Sequence, residues 1–186
     1  MAEEQEHKKK SIREMGRDSV EQFRTKRRMP VAVVLDNIRS LNNIGSIFRT
    51  SDGFACNELV LCGITATPPS AEIHKTALGA EDSVPWRYFE NTLDAIKTLK
   101  AEGYIVYSLE QTFNSIPLQD LVIRRGQRYA IVAGHEVDGV DQTVVDASDG
   151  CIEIPQSGTK HSFNVSVATA LALWEFYKKS DLIPMD

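Results

Sequence analysis

The chain has 186 residues, of which 42% are hydrophobic and 25% are charged. This balance is typical of one soluble globular domain and excludes collagen-like, low-complexity and fully disordered proteins. The longest apolar runs, such as 31–35, are too short to span a bilayer, and the N-terminal MAEEQEHKKK lacks the apolar core of a secretory signal. Three cysteines are too few for a disulfide framework, so we expect a cytoplasmic protein with no membrane partner.

The net charge of -5 hides an uneven distribution along the chain. Residues 1–28 contain nine Lys or Arg and six Asp or Glu, whereas the remainder contains twelve basic and twenty acidic residues. A basic arm on an acidic body is suited to steering a polyanion toward the protein. Charge alone, however, favours the simpler interpretation of a solvated, charged terminal helix.

The arm also has a sparse apolar stripe, which predicts a helix that lays one face on the body. The stripe consists of Ile12, Met15, Val20 and Phe23. Pro30 marks the end of the arm, because the residue before a proline avoids the helical region. The sequence therefore predicts an N-terminal arm (1–29), a main domain (30–180) and a short C-terminal tail (181–186).

From residue 31 onward, apolar runs of strand length alternate with amphipathic segments of helical length. The predicted strands are 31–36, 58–63, 84–89, 104–109, 128–134 and 151–155. The predicted helices are 43–55, 71–79, 91–103 and 162–179. Pro85 places its strand at an edge of the sheet. This alternation predicts an α/β fold, with a mostly parallel sheet and helices on both of its faces.

The loops that follow the strands are where ligands of such sheets bind, outside the carboxyl ends of the strands. These loops are 36–43, 109–116, 134–140 and 155–162. Any chemistry of the domain is therefore expected there.

The last predicted helix is apolar almost all the way round between Val165 and Tyr177. A surface helix shows an apolar stripe rather than a nearly complete belt, so this helix must bury two faces. One face can pack on the sheet. The other face can be covered by a second copy of the chain or by the N-terminal arm, and this feature favours neither.

Several familiar sites are absent from the sequence. It has no G-x-G-x-x-G fingerprint after the first strand, no P-loop and no G-x-S-x-G nucleophile elbow. The histidines and cysteines lack the spacing of metal ligands, so we predict no metal site. The histidines are His7, His74, His135 and His161.

Three segments remain as candidates for chemistry. In NNIGSIFRT (42–50), Asn42 or Asn43 can cap a helix, and Gly45 allows close backbone approach. In IVAGHEVDGV (131–140), a glycine at the strand end lets backbone lie against a planar ligand. In 152–170, Ser162 is a good N-cap for the apolar helix. Each segment in isolation is also consistent with an ordinary capped helix or glycine turn.

Together and in this order, the three segments resemble the SPOUT superfamily of RNA methyltransferases, and within it the SpoU/TrmH family of RNA ribose 2′-O-methyltransferases. The stretches that carry the resemblance are NNIGSIFRTSDGFA, KTALGAEDSVPW, YSLEQT, IVAGHEVDGV and IEIPQSGTKHSFNVSVATALALWEFYKK. They cover about residues 31–179, which is essentially the whole main domain.

The resemblance implies a fold that pattern analysis would not suggest, because chain knots are rare exceptions. Family members thread their C-terminal segment through a loop to make a deep trefoil knot, and the knot forms a pocket for S-adenosylmethionine. The positions that match this pocket are Leu109, Gly134, Ile154 and Phe163. The resemblance also implies a homodimer that forms through the last helix.

The resemblance assigns catalytic weight to five positions, which are Asn43, Arg49, Glu136, Ser162 and Asn164. Guanidinium stays protonated in proteins, so Arg49 is a poor candidate for a general base. Our hypothesis is that Arg49 stabilises the developing ribose alkoxide and orients a phosphate, while the proton leaves through that phosphate or water. Asn43 and Ser162 would then orient Arg49 and the ribose, and Glu136 would fix the loop.

Two features of the sequence depart from the family pattern. Phe163 stands where the family often has leucine, which adds bulk to the adenine pocket, and Ala55-Cys56 replace a common glycine. Neither change removes a proposed catalytic side chain, so we expect an active enzyme.

The partner implied by the resemblance is RNA, with tRNA as the first expectation and rRNA as the second. The cations of the arm are the expected phosphate contacts. They are Lys8, Lys9, Lys10, Arg13, Arg17, Arg24, Lys26, Arg27 and Arg28. Two other functions stay open: a catalytically silent relative that binds RNA or cofactor, and a doubly wound small-molecule enzyme or receiver-like domain.

Overall fold

A computed structural model describes residues 8–11, 14, 16 and 19–181 of the chain. Its centre is a seven-stranded sheet in which every pairing is parallel, with the spatial order β3-β2-β1-β6-β4-β7-β5. The strands are β1 (Met29–Asp36), β2 (Cys56–Cys62), β3 (Trp86–Phe89), β4 (Tyr104–Leu109), β5 (Ile116–Pro117), β6 (Arg128–Ala133) and β7 (Gly150–Glu153). The predicted parallel α/β sheet is therefore confirmed.

Helices connect the strands and cover both faces of the sheet. They are α1 (Val20–Thr25), α2 (Leu41–Gly53), α3 (Ala71–Ala77), α4 (Ala80–Ser83), α5 (Thr92–Ala101), α6 (Gln142–Ala147) and α7 (Val165–Lys178), with a short 3₁₀ turn at Leu118–Asp120. Side chains of α2, α3 and α7 belong to one core cluster, and those of α5 and α6 belong to a second.

β1 shows why two cores form. Its residues are almost all fully buried, and successive side chains point to opposite faces of a strand. Val33 and Leu35 therefore enter the cluster on the α2 side, while Ala32 and Val34 enter the cluster on the α5 side. A strand covered on both faces reads as a continuous apolar run, which is the pattern that predicted it.

Some short elements were not predicted. α6 has six residues of which only Val144 is buried, so it presents no helical period. β5 has two residues and includes Pro117, which sequence patterns rate against a strand. β3, in contrast, lies at the edge of the sheet, as Pro85 predicts.

The start of two helices differs from prediction. α2 begins at Leu41, and its N-cap is Ser40, whose hydroxyl accepts from the backbone N–H of Asn43. α7 begins at Val165 and is capped by Asn164 rather than by Ser162. Asn43 and Ser162 are therefore free of the capping roles that the sequence suggested.

The N-terminal arm contains one described helix, α1, with a capping box between Ser19 and Gln22. Its connection to the body runs through Arg28, whose guanidinium lies 4.8 Å from the ring centre of Phe23 and donates to the carbonyls of Cys56 and Ser83. The other predicted stripe positions, Ile12 and Met15, lie outside the described residues. Arg28 thus joins arm and body.

α7 has the two apolar faces that its composition predicted. Ala172, Leu173 and Phe176 are buried in the core, whereas a second row stays open to solvent. This row comprises Val167 (47% exposed), Leu171 (39%) and Trp174 (47%). The described part of the arm contacts α4 and leaves the row uncovered.

All three cysteines are buried and free. Burial raises the pKa of Cys56 and of Cys62 to about 12, so both thiols stay protonated and unreactive at neutral pH. No helix in the described part of the chain has the length and apolar character that a membrane span requires.

Gly45 of α2 provides a stability test. A Cβ at this position would collide with the Ile73 carbonyl and the Thr76 hydroxyl of α3, whereas a Cβ at Gly53, at the end of the same helix, would meet nothing. We expect Gly45→Ala to lower the free energy of unfolding by about 1–3 kcal/mol. Gly53→Ala should be neutral or stabilising by up to about 1 kcal/mol.

Urea unfolding of both variants measures the difference. If Gly45→Ala were as stable as Gly53→Ala, the close packing of α2 on α3 would be contradicted.

Candidate active site

One cavity opens at the carboxyl ends of β4, β6 and β7. Its volume is about 470 Å³, which lies in the range of roughly 300–1,000 Å³ that is usual for small-molecule sites. Three chain segments form its walls: 109–111 after β4, 133–139 after β6, and 152–168, which runs from β7 into α7. A ligand site at the carboxyl edge of a parallel sheet is the expected placement.

The segment after β6 is a tight, closed loop. His135 and Gly139 exchange two backbone hydrogen bonds of 2.9 Å each, and Gly139 has a positive φ of 72°. A Cβ on Gly134 would run into the backbone of 139–140. Gly134 is therefore required because its own loop folds back over it, which is a different reason from ligand contact alone.

Glu110 holds this loop from the neighbouring strand. One carboxylate oxygen of Glu110 accepts from the backbone N–H of Val140 at 3.0 Å, and the other accepts from the backbone N–H of Gln111 at 2.8 Å. Gln111 in turn donates to the carbonyl of His161 at 2.7 Å. The three cavity segments are thus joined to each other by hydrogen bonds.

Glu136 connects the same loop to the start of α2. Its carboxylate accepts from the backbone N–H groups of Arg39 (3.0 Å) and Ser40 (2.9 Å) and from the side-chain amide of Asn43 (2.9 Å). Partial burial is the strongest single influence and raises the pKa of Glu136, but the three donors together hold that pKa below its ordinary value. The group is therefore ionised at neutral pH.

The ionised carboxylate fixes the orientation of two amides. A carboxylate only accepts, so Asn43 turns its Nδ2 toward Glu136 and presents its Oδ1 to Asn164. Asn164 donates its Nδ2 to that oxygen at 3.1 Å, while its own Oδ1 caps α7 by accepting from the N–H groups of Ser166 and Val167. This Glu136–Asn43–Asn164 chain links the loop, α2 and α7.

The structure brings most of the predicted site residues to this cavity. Those on its walls are Leu109, Gly134, Glu136, Ile154, Ser162, Phe163 and Asn164. Asn43 joins them through its hydrogen bonds to Glu136 and Asn164. No described residue hydrogen-bonds the hydroxyl of Ser162, which leaves it available to a ligand.

Arg49 is placed elsewhere. Arg49 is exposed on the face of α2 that also carries Asn42, Ser46 and Gly53, whereas Asn43 lies on the adjacent face of the helix. It does not line the cavity, and no described residue of the chain pairs with its guanidinium. Among the described residues of one chain, Arg49 is therefore not part of the cavity wall.

The predicted cations of the arm differ in their surroundings. Lys8, Lys9, Lys10 and Lys26 are exposed, and Arg27 lies 3.4 Å from Asp181. Arg24 is in α1. Arg28 is engaged with the body as described above, and Arg13 and Arg17 lie outside the described residues.

Sequence reasoning missed two acidic groups that shape the site. Glu110 immediately follows a strand, and that position was the available signal. Asp36 ends β1 and is buried, and it accepts from the hydroxyl of Thr92 at 2.6 Å and from the N–H of Asp141 at 3.2 Å. It thereby secures the far end of the 134–140 loop. Among the described residues, no group of His, Cys, Asp and Glu is arranged to hold a metal ion.

Comparisons with known proteins define the class of the chain. Residues 30–174 match the family model described as the SpoU rRNA Methylase family, so the chain belongs to that family. A putative TrmH family tRNA/rRNA methyltransferase of Staphylococcus saprophyticus is 28% identical over 164 residues, which are 88% of this chain and 65% of the relative. A 23S rRNA (guanosine-2'-O-)-methyltransferase of Nitrosomonas europaea is 30% identical over 151 residues, which are 79% of this chain and 55% of the relative.

Solved structures agree. The AdoMet-bound rRNA methyltransferase of Sinorhizobium meliloti superposes with a TM-score of 0.77 at 25% identity, covering 87% of this chain and 61% of the other. The TrmH/SpoU tRNA modifying enzyme of A. aeolicus superposes with a TM-score of 0.75 at 23% sequence identity. The match covers 86% of this chain and 81% of the other, and it supports the fold. The chain thus spans 65% or less of the length of the curated relatives named above.

The amide chain yields a matched pair of variants. Asn43→Asp places a carboxylate against that of Glu136, and we expect it to lower the free energy of unfolding by about 2 kcal/mol at pH 7. Asn42→Asp, one residue earlier and exposed, puts the same charge at a favourable helix N-terminus and should stabilise by about 0.5 kcal/mol at most.

The difference in stability between wild type and Asn43→Asp should become smaller as the pH falls. The pKa of Glu136 is depressed in the folded state, so its stabilising contribution is present above its unfolded pKa and is lost as the pH falls through the folded value. Thermal unfolding from pH 7 down to pH 3 should therefore show the gap between wild type and Asn43→Asp closing. A constant gap would contradict the ionised contact.

Proposed function

We propose that the chain is an S-adenosylmethionine-dependent RNA methyltransferase that methylates a ribose 2′-hydroxyl. The observation that carries this proposal is the convergence of the 134–140 loop and the start of α7 on one cavity, at the positions where the sequence resembles the family. Membership of the SpoU family supports RNA methylation, and the name of the Nitrosomonas relative supports the ribose 2′-oxygen as target.

The cavity suits the proposed cofactor. Its walls combine apolar side chains, Leu109, Ile152, Ile154 and Phe163, with loop backbone that can meet polar groups. When bound, the cofactor supplies a methyl group already activated on a sulfonium. The protein then needs to exclude water, align the ribose and support the charge that develops on its oxygen.

The hydrogen-bonded amides would do the aligning. Asn43 and Asn164 are held rigid by Glu136 and by the cap of α7, so the groups that border the cavity mouth are pre-organised before RNA arrives. The hydroxyl of Ser162, which no described residue hydrogen-bonds, would bind the ribose. Glu136 accepts three hydrogen bonds from the start of α2 and acts as an anchor rather than as a base.

We further propose that the enzyme is a homodimer and that Arg49 serves the cavity of the partner. Val167, Leu171 and Trp174 form an apolar face of α7 that stays partly exposed in the described chain, although the Trp174 ring centre lies 6.1 Å from that of Phe54. α7 packs beside α2, which carries Arg49. The guanidinium would stabilise the ribose oxygen as its proton passes to a phosphate oxygen or to water.

For the substrate, tRNA remains the first candidate and rRNA the second. The exposed lysines of the arm would supply sequence-independent phosphate contacts, which makes residues 1–29 an RNA-binding extension of the main domain (30–180), with a tail at 181–186. We expect this binding to weaken as the salt concentration rises.

The trefoil knot of the family is also proposed for this chain. The connection from β7 to α7 passes the loops after β4 and β6, and it is tied to the first of them by the Gln111–His161 hydrogen bond. β7 lies between β4 and β5, and the chain then returns so that α7 packs against α2, which supports such a threading.

Removal of Arg49 tests the catalytic assignment. With methyl-labelled S-adenosylmethionine and total RNA, we expect Arg49→Ala to lose methyl transfer by about 100-fold or more while it still binds the cofactor and unfolds at the wild-type temperature. Lys97→Ala, which removes one exposed cation from α5, should retain transfer. Near-normal transfer by Arg49→Ala would end the assignment. Cofactor binding without transfer by wild type would indicate the catalytically silent relative.

Mixing two inactive variants tests whether Arg49 acts across the dimer. Arg49→Ala keeps an intact cavity, and Ile154→Trp fills the cavity but keeps Arg49. If the partner supplies Arg49, mixed dimers contain one complete site and transfer returns in part. If each chain used its own Arg49, no complete site would form and the mixture would stay inactive.

The dimer itself is tested by a charge in the apolar row. Leu171→Glu should sediment as a monomer and lose transfer, because a buried unpaired carboxylate is costly at an interface. Val122→Glu, which changes an exposed side chain outside α7, should remain dimeric. A monomeric wild-type protein with full activity would contradict the proposal.

A further inference from the structure

Phe113 is the most exposed large hydrophobic side chain of the described residues. Its relative exposure is 109%, compared with 77% for Val137 and 74% for Val122. Single exposed apolar residues are common on protein surfaces and need no explanation by themselves. The surroundings of Phe113 are what single it out.

The turn that presents Phe113 is fixed on both sides. The hydroxyl oxygen of Ser115 lies 2.8 Å from both the carbonyl oxygen of Thr112 and a carboxylate oxygen of Glu153, so its single proton is shared between the two acceptors. On the other side, Gln111 donates to the carbonyl of His161 at 2.7 Å. The ring is therefore displayed from a defined turn beside the β7 strand end rather than from a loose loop.

The ring also borders a shallow groove that adjoins the candidate active site. The groove has a volume of about 590 Å³, and its lining consists of Gln111, Thr112, Phe113, Asn114, Gln142 and Val145. Gln111 lines this groove and the 470 Å³ cavity alike, so the two are neighbours. The side-chain amides of Gln111 and Asn114 offer hydrogen-bond donors and acceptors in the same groove as the Phe113 ring.

We propose that Phe113 is a stacking platform for an unpaired base of the RNA substrate, next to the nucleotide whose ribose enters the cavity. The inference rests on the proposed function and names how the substrate is held. Unpaired bases are recognised by stacking on aromatic side chains and by hydrogen bonds to their edges, and the groove supplies an aromatic face and amides together.

Charge favours a base over a phosphate at this place. Gln142 donates to the carboxylate of Asp146, which is exposed, and Asp138 on the cavity rim is also exposed. Carboxylates repel the phosphate backbone but leave the uncharged face of a base free to stack. The backbone of the RNA would therefore run outside the groove.

A second protein is a poorer occupant of this surface. Gln111 and Asn114, on either side of the ring, are exposed polar residues, so the apolar area is limited to the ring and the half-buried Val145. Protein interfaces have a contiguous apolar core, and in this chain such a patch lies on α7 instead.

The test compares Phe113→Ala, Phe113→Leu and Phe113→Trp with wild type on the RNA fraction, tRNA or rRNA, that wild type methylates. We expect Phe113→Ala to raise the KM for that RNA about tenfold, with kcat at saturating RNA and cofactor affinity unchanged. Phe113→Leu should behave like Phe113→Ala, because it keeps an apolar side chain without a ring. Phe113→Trp should restore the wild-type KM.

The control is Val122→Ala, which trims an exposed apolar residue in the segment before β6, away from the cavity, and should leave KM unchanged. Ultraviolet irradiation of the wild-type complex, followed by peptide mapping, should place an RNA cross-link at residue 113.

Three results would overturn the inference: an unchanged KM in Phe113→Ala, full retention in Phe113→Leu, or a change of sedimentation in Phe113→Ala that marks a protein contact. If wild type methylated no RNA fraction, the proposed function would fail first. Methylation by wild type with an unchanged Phe113→Ala would defeat the stacking inference alone.

Discussion

The carboxylate of Glu136 holds the site together. It sits on a loop after β6, yet its three donors belong to the start of α2, and Asn43 extends the connection to the cap of α7. Three elements that are distant in sequence meet at this group. Because it accepts every bond and is ionised, it also dictates which way both amides face. That one charge fixes how the 134–140 loop, α2 and α7 meet, while Glu110 and Asp36 secure the rest of the loop.

Much of the fold could be predicted from the sequence, because residues that are buried on one face of a helix or strand recur at a regular spacing. The spacing of Ile44, Ile47 and Phe48 predicts α2, and the continuous apolar run of β1 predicts a strand covered on both faces. The cavity positions followed from a resemblance rather than from any period, since Gly134 and Ile154 mean little alone. Placement at strand ends was predictable because parallel sheets bind ligands there.

Other features depended on contacts between distant segments. Ser40, Asn42 and Asn43 are all residue types that can cap a helix, so the sequence alone does not show that α2 is capped by Ser40. Only the approach of Glu136 assigns Asn43 to another partner. The same ambiguity hid the cap of α7. Arg49 lies outside the cavity wall and on a different face of α2 from Asn43. The motif could not predict this, because it gives residue types but not the direction in which each side chain points.

The proposed reaction is methyl transfer to a ribose oxygen at this cavity. Nucleoside analysis tests it most directly: RNA is incubated with the protein and methyl-labelled S-adenosylmethionine, digested to nucleosides and separated. We expect the label to appear in a 2′-O-methyl nucleoside. Label on a base, or no label together with no measurable cofactor binding, would contradict it.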